Sequence, residues 1–154
     1  MVPHLDYCSV VYSDLSNQLS AQLQRLSNSG IRYIYGLRRQ EHIAPFRRRL
    51  NWIRNTTRTN YFAALTMYTL ISMRESPFLL SFFKPYKSGK PARGPRKDLD
   101  THSSVTTDWG LNSFQVKYAH FWNSIPPCTR DLHSFSKFKK GIRQYLYRSD
   151  DTDL

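Results

Sequence analysis

Leucine and isoleucine recur at positions 15, 19, 23, 26, 31 and 34, mostly in three- and four-residue steps. That spacing returns to one face of an α-helix every turn, and no strand can keep it on one side. A long amphipathic helix from Leu15 to Gly36 is therefore the first constraint on the fold. Gly30 inside it costs about 1 kcal/mol relative to alanine, so either the helix breaks there or another backbone packs close. A stripe of this kind is read as a core face rather than a dimerisation zipper, since four leucines are fewer than a coiled coil uses.

Helical spacing continues on both sides. Pro3 sits where a helix can begin without losing a hydrogen bond, and Leu5, Cys8, Val11 and Tyr12 follow at helical steps. Ala44-Pro45-Phe46 opens a short helix through Leu50, with Phe46 and Leu50 facing inward and Arg47, Arg48 and Arg49 on its flank. Asn55 or Thr56 can cap the next helix, which offers Tyr61, Phe62, Leu65, Tyr68 and Leu70 or Ile71 as a broad buried face through about Met73. Trp52, just before it, could stack on a base, although core packing is the default for a large aromatic.

Beyond a short apolar helix or turn at residues 77–83, the chain changes character. Residues 84–103 interleave Pro85, Gly89, Pro91, Gly94 and Pro95 with basic residues and read as a loop. Residues 104–108 and 113–117 are β-tending on either side of Trp109-Gly110-Leu111-Asn112, which predicts a small hairpin. Tyr118 to Ser124 then turns helical before Pro126, whose predecessor is disfavoured in the helical region. Ser134 caps a last amphipathic helix with Phe135, Phe138, Ile142, Tyr145 and Leu146 inward and Lys137, Lys139, Lys140 and Arg143 outward. The expected fold is mainly α: a helical bundle-like domain with a small β-hairpin near residues 104–117 and a C-terminal amphipathic helix. Its segments are 1–83 helical, 84–103 basic loop, 104–148 hairpin plus final helix, and an acidic tail at 149–154 that frays.

Charge narrows the function. The chain of 154 residues has 23 Lys and Arg against 11 Asp and Glu, a net charge of +12. From Leu15 to Lys97 the only acids are Glu41 and Glu75. A polyanion is the natural partner, because each phosphate neutralised by Arg or Lys releases condensed counterions. Arg38, Arg39, Arg47, Arg48, Arg49, Arg54 and Arg58 are the candidate contacts to an RNA or DNA backbone. A membrane is not expected as partner: no apolar run reaches the roughly 18 residues of a span, and the basic residues share no obvious amphipathic anchor. No basic stretch leads into an apolar segment near the start, and Cys8 and Cys128 lie far apart, so an intracellular setting, nuclear or cytoplasmic, is expected.

Catalytic arrangements are missing from the sequence. The histidines at 4, 42, 102, 120 and 133 lack metal-ligand spacing, and there is no phosphate loop or nucleophile elbow. No cofactor and no metal are expected.

Five stretches in order carry a resemblance. Pro3-His4-Leu5-Asp6-Tyr7-Cys8-Ser9-Val10-Val11-Tyr12 is followed by Leu23-Gln24-Arg25-Leu26-Ser27-Asn28 and then Ile31-Arg32-Tyr33-Ile34. Pro45 to Trp52, Phe114 to Pro126 with Trp122-Asn123, and Phe135 to Leu146 complete the series. Together they resemble the C-terminal, thumb-end and post-thumb region of non-LTR (LINE, jockey-like) retrotransposon reverse transcriptases, with Ile125 where the family has Leu. The resemblance marks Trp122, Asn123, Pro126, Phe135 and Phe138 as a structural signature. It implies a portion of an RNA-directed DNA polymerase. The family's two-metal chemistry rests on an aromatic-Ala-Asp-Asp turn, and no such turn occurs here. Asp150-Asp151 lies in a polar terminus, and Asp6 has no partner carboxylate nearby in sequence. The chain is thus expected to bind nucleic acid without being an enzyme on its own, and the catalytic part of a reverse transcriptase is a further candidate partner. The alternative is a structural or partner-docking module with no nucleic-acid binding. An independent enzyme would need carboxylates gathered from distant positions such as Asp98, Asp100 and Asp108.

Overall fold

The computed structural model describes residues 6, 7, 9–11, 15–86, 98–101, 107–111 and 113–152. Helices dominate: α1 (Asn17–Tyr35), α2 (Ala44–Arg49), α3 (Asn55–Tyr68), a π-helical turn (Thr69–Met73), α4 (Pro77–Leu80), α5 (Asp108–Leu111), α6 (Phe114–Ser124), α7 (Pro127–Arg130) and α8 (Phe135–Thr152). The mainly α expectation holds. No described helix is long and apolar enough to cross a membrane. The expected helix at Pro3–Tyr12, the first hairpin strand up to residue 106 and the centre of the basic loop lie largely outside the described residues. The contacts divide the chain into two compact units, Met1–Phe62 with Tyr145–Leu154, and Ala63–Gln144.

In the first unit α1 starts at Ser16, whose hydroxyl accepts from the Leu19 N–H, and ends at Gly36, which adopts the left-handed φ of 62°. Glycine reaches that conformation without steric cost and lets its N–H return to the Arg32 carbonyl, so the helix stops where the sequence places Gly36. Gly30 does not break it. The buried face is not the leucine stripe. Of the stripe only Ile31 is buried, on the same side as Ser27, while Leu19, Leu26 and Ile34 are each about half exposed, so the core-face reading fails for most of the stripe.

Hydrogen bonding explains the choice of face. The Gln24 Oε1 accepts from the Asn55 N–H (3.0 Å), and the Ser27 hydroxyl donates to the Asn55 Oδ1 (3.0 Å). An unmade bond at the start of α3 is thereby satisfied from a neighbouring helix, so Asn55 serves as a tertiary anchor rather than as the local cap its sequence suggests. Supplying these partners requires the polar side of α1 to face α3, and the leucines turn away.

The second unit has the apolar core. Ala63, Ala64, Met67, Tyr68 and Leu70 are buried from the α3 side, Val116, Tyr118, Ala119 and Trp122 from α6, and Phe138 and Ile142 from α8. Tyr68 stacks on Phe138 at 4.3 Å between ring centroids and donates its hydroxyl proton to the Leu132 carbonyl (2.8 Å). The expected α3 face is therefore only partly right: Tyr68 and Leu70 are buried, but Tyr61, Phe62, Leu65 and Ile71 stay half-buried. Apolar residues surround most of this helix, so periodicity alone could not choose a side.

The hairpin near 104–117 is a misreading of local propensity. Residues 113–117, the expected second strand, lead into and begin α6, with the Lys117 N–H bonded to the Ser113 carbonyl (3.0 Å). Val116, Ala119 and Trp122 are buried at helical spacing, and Phe114 meets Tyr118 edge-on at 5.0 Å. Burying that stripe outweighs the β preference of Phe114 and Val116. The β pairing found among the described residues is an isolated antiparallel bridge between Pro85 and Leu99, inside the stretch expected to be a loop. Ser149 to Thr152, expected to fray, continue α8.

Candidate nucleic-acid interface

All seven candidate arginines belong to the first unit. The segment from Gly36 to Asn51 is built by backbone turns that the sequence only partly announces. The Leu37 N–H returns to the Arg32 carbonyl (3.0 Å), and the Arg32 guanidinium donates to the Arg38 carbonyl, folding the start of the loop onto the last turn of α1. The Arg38 N–H donates to the Glu41 carboxylate (3.0 Å), which closes the next turn. Tyr35 and Phe46, ring centroids 5.0 Å apart, tie the end of α1 to α2. After α2, Asn51 takes a positive φ of 55°, a conformation that Asn tolerates better than most residues, and the Tyr147 hydroxyl donates to its carbonyl (2.6 Å).

This path sorts the candidates. Arg38, Arg39, Arg48 and Arg49 are exposed, whereas Arg47, Arg54 and Arg58 are half-buried. The Arg49 guanidinium lies over the Phe46 ring, 5.6 Å from its centroid, while the residue as a whole stays exposed. Glu41 is the acid within the run from Arg38 to Arg49. Its carboxylate is already turned to the Arg38 backbone.

Arg58 is different. Its Nε and Nη2 donate to the two oxygens of Asp6, a bidentate pair across 52 residues of sequence, and the guanidinium also lies 6.0 Å from the Phe62 ring centroid. Such a fork is among the stronger ionic contacts and removes Arg58 from the freely offered charge. Asp6, which looked isolated in sequence, is the residue that decides this. No local spacing could have exposed it, because the partners come from opposite ends of the unit. Trp52, the possible stacking platform, is half-buried.

The signature residues lie in the second unit and act on packing. Trp122 and Phe138 are fully buried with centroids 6.1 Å apart. Ile125 is extended (ψ 132°), as a residue before proline should be, and Pro126 accepts from the Thr129 N–H (2.9 Å) to start α7. Phe135 departs from expectation: as the first residue of α8 it is 37% exposed, touching Tyr68 at 5.9 Å with one side only. Asn123 holds the backbone of Leu99 through both its amide atoms, each at 2.9 Å. Arg130, which the charge pattern did not single out, is buried and bonds Asp98 at 2.7 Å.

Among the described residues no group of three or more His, Cys, Asp and Glu side chains converges as a metal site would require. Asp98 is paired with Arg130, while Asp6 is paired with Arg58 in the other unit. Chemically the arrangement can do one thing well: present exposed positive charge on a helical frame to an extended anion. Comparison of the chain with protein-family models, curated proteins and solved structures finds no match.

Proposed function

We propose that this chain is a non-catalytic C-terminal portion of a non-LTR retrotransposon reverse transcriptase that binds RNA or DNA through phosphate contacts. Two things support the reading: the ordered series of motifs, and the exposure of Arg38, Arg39, Arg48 and Arg49 within one short segment containing a single acid. The second observation carries the binding. Exposed arginines gathered in one short segment can follow a phosphate backbone, positioning the polymer without reading its bases.

A second reading has its own support. Met73, Phe78 and Phe82 are 51%, 72% and 40% exposed around α4, an apolar patch of the kind that a partner protein covers. In that reading the chain is a docking module for the catalytic part of a polymerase.

Binding of fluorescent RNA and duplex DNA of unrelated sequences, measured from low to moderate salt, separates the two. Phosphate binding gives similar affinities for different sequences and a linear fall of log K with log salt. No binding at low salt, or binding indifferent to salt, would leave only the docking reading.

A further inference from the structure

The outer face of α8 carries charge that the helix itself does not use. Phe138 and Ile142, four residues apart, are fully buried, which fixes the side that α8 turns to the core of the second unit. Lys137, Lys139, Lys140 and Arg143 fall outside that arc and are exposed. All four belong to the second unit, whereas the arginine segment belongs to the first.

A face that had only to meet water would gain from acids. Carboxylates in the first turn complement the helix dipole, and a carboxylate three or four residues from a lysine pairs with it. In α8 the first turn has no acid, and none occurs from Leu132 to Ser149. Like charges occupy the neighbouring positions instead: Lys137 and Lys140, and Lys140 and Arg143, are three apart, and Lys139 and Arg143 are four apart. Such pairs repel and weaken a helix, and Lys137 stands at its positive end. An anion laid along this face removes both penalties.

We propose that this face of α8 is a second phosphate-binding surface, engaging the backbone of a nucleic acid separately from the arginine segment. The class of ligand rests on the phosphate-binding reading above; the location does not. From Lys137 to Arg143 the helix rises about 9 Å, a length over which one strand of a duplex carries about three phosphates. An acidic membrane fits this face less well. An interfacial helix binds by sinking its apolar side between headgroups, and the apolar side of α8 is already spent on the core through Phe138 and Ile142.

Binding of the full chain to duplex DNA across salt tests this. Wild type is compared with a triple variant, Lys137→Gln, Lys139→Gln and Lys140→Gln, which removes charge at little cost in helix propensity. The slope of log K against log salt is expected to flatten by about 2 to 3, near 0.9 for each phosphate no longer neutralised, and arginine at the same positions should restore it. In the free chain at low salt the Gln variant should unfold at a temperature no lower than wild type, because it relieves repulsion; a lower midpoint makes the lysines structural and overturns the proposal. Contact is read by reductive methylation, from which bound DNA should protect the three lysines. Unprotected lysines, or an unchanged slope in a Gln variant whose wild type binds DNA, overturn the second surface and leave the arginine reading standing. Absence of binding by wild type at low salt overturns both. A Gln variant that loses only its binding to phosphatidylserine vesicles, with its DNA slope intact, gives the face to a lipid surface and also overturns the proposal.

Discussion

The side-chain amide of Asn123 forms both hydrogen bonds of the Leu99 backbone: its Oδ1 accepts from the Leu99 N–H and its Nδ2 donates to the Leu99 carbonyl, each at 2.9 Å. Leu99 needs such a partner because its bridge with Pro85 uses its neighbours instead, the Tyr86 N–H bonding the Asp98 carbonyl (2.9 Å) and the Asp100 N–H the Lys84 carbonyl (2.8 Å). Pro85 has no N–H, and it stands at the position of the bridge where none is called for. Asn123 thus completes a strand edge with one side chain, beside the buried Trp122. This gives the Trp-Asn pair a physical meaning: the indole fills the core and the amide mimics a peptide group.

Replacing Asn123 by Ala leaves the Leu99 N–H and carbonyl without their partners in a partly buried place. A loss of about 2 kcal/mol in unfolding free energy is expected, from roughly 1–3 kcal/mol for each group left unsatisfied, reduced by water access. Asn123→Asp keeps the acceptor but sets a carboxylate beside the Leu99 carbonyl, and should not restore stability. Amide hydrogen exchange at Leu99 is the direct readout, and unchanged protection in Asn123→Ala would contradict the role.

Trp122 and Tyr68 should differ sharply in cost. Trp122→Ala opens a cavity at a fully buried position and is expected to cost about 3–5 kcal/mol. Tyr68→Phe keeps the stacking on Phe138 and removes only the hydroxyl that donates to Leu132, worth about 1 kcal/mol. Chemical denaturation of the two variants checks both magnitudes.

Gln24→Ala removes the acceptor for the first N–H of α3 while leaving the Ser27 to Asn55 bond in place. The expected loss is about 1 kcal/mol, the size of an ordinary N-terminal cap. If Gln24→Ala matched the wild type in denaturant midpoint, the contact would have no stabilising role.

Under the phosphate-binding reading, Arg58 and the exposed arginines part company. Exchanging Arg38, Arg39, Arg48 and Arg49 together for Ala should flatten the salt slope on duplex DNA by about 3 to 4, near 0.9 for each phosphate that is no longer neutralised. Affinity should fall about equally for unrelated sequences. Arg58→Ala should leave that slope unchanged and instead lower stability by about 1 kcal/mol, because its guanidinium is engaged by Asp6 in a partly exposed pair. Filter binding at several salt concentrations, alongside thermal unfolding, distinguishes the two effects.

Local chemistry made some elements legible and left others hidden. The stop of α1 at Gly36 followed from the sequence, as did the stop at Ile125 from the steric demand of Pro126, whereas the cap at Ser16 came only from the structure. The faces did not follow. Leucine spacing named a stripe on α1, but the Asn55 N–H at the start of α3 needed an acceptor, and Gln24 on the other side of α1 supplied it. The β-tending residues around 113–117 were overridden for a similar reason, since only a helix buries Val116, Ala119 and Trp122 together.

The candidate interface divides in the same way. The sequence by itself determined that the chain would be helical, strongly basic and arginine-rich from Arg38 to Arg58, because composition and periodicity are properties of neighbouring residues. Only the tertiary structure decided which charges are offered and which apolar face remains open. Asp6 reaches Arg58 across 52 residues, and Asn123 reaches Leu99 across 24. Such pairings exist only once the chain has folded back on itself, since burying polar groups without partners costs more than the loop closures that bring partners together.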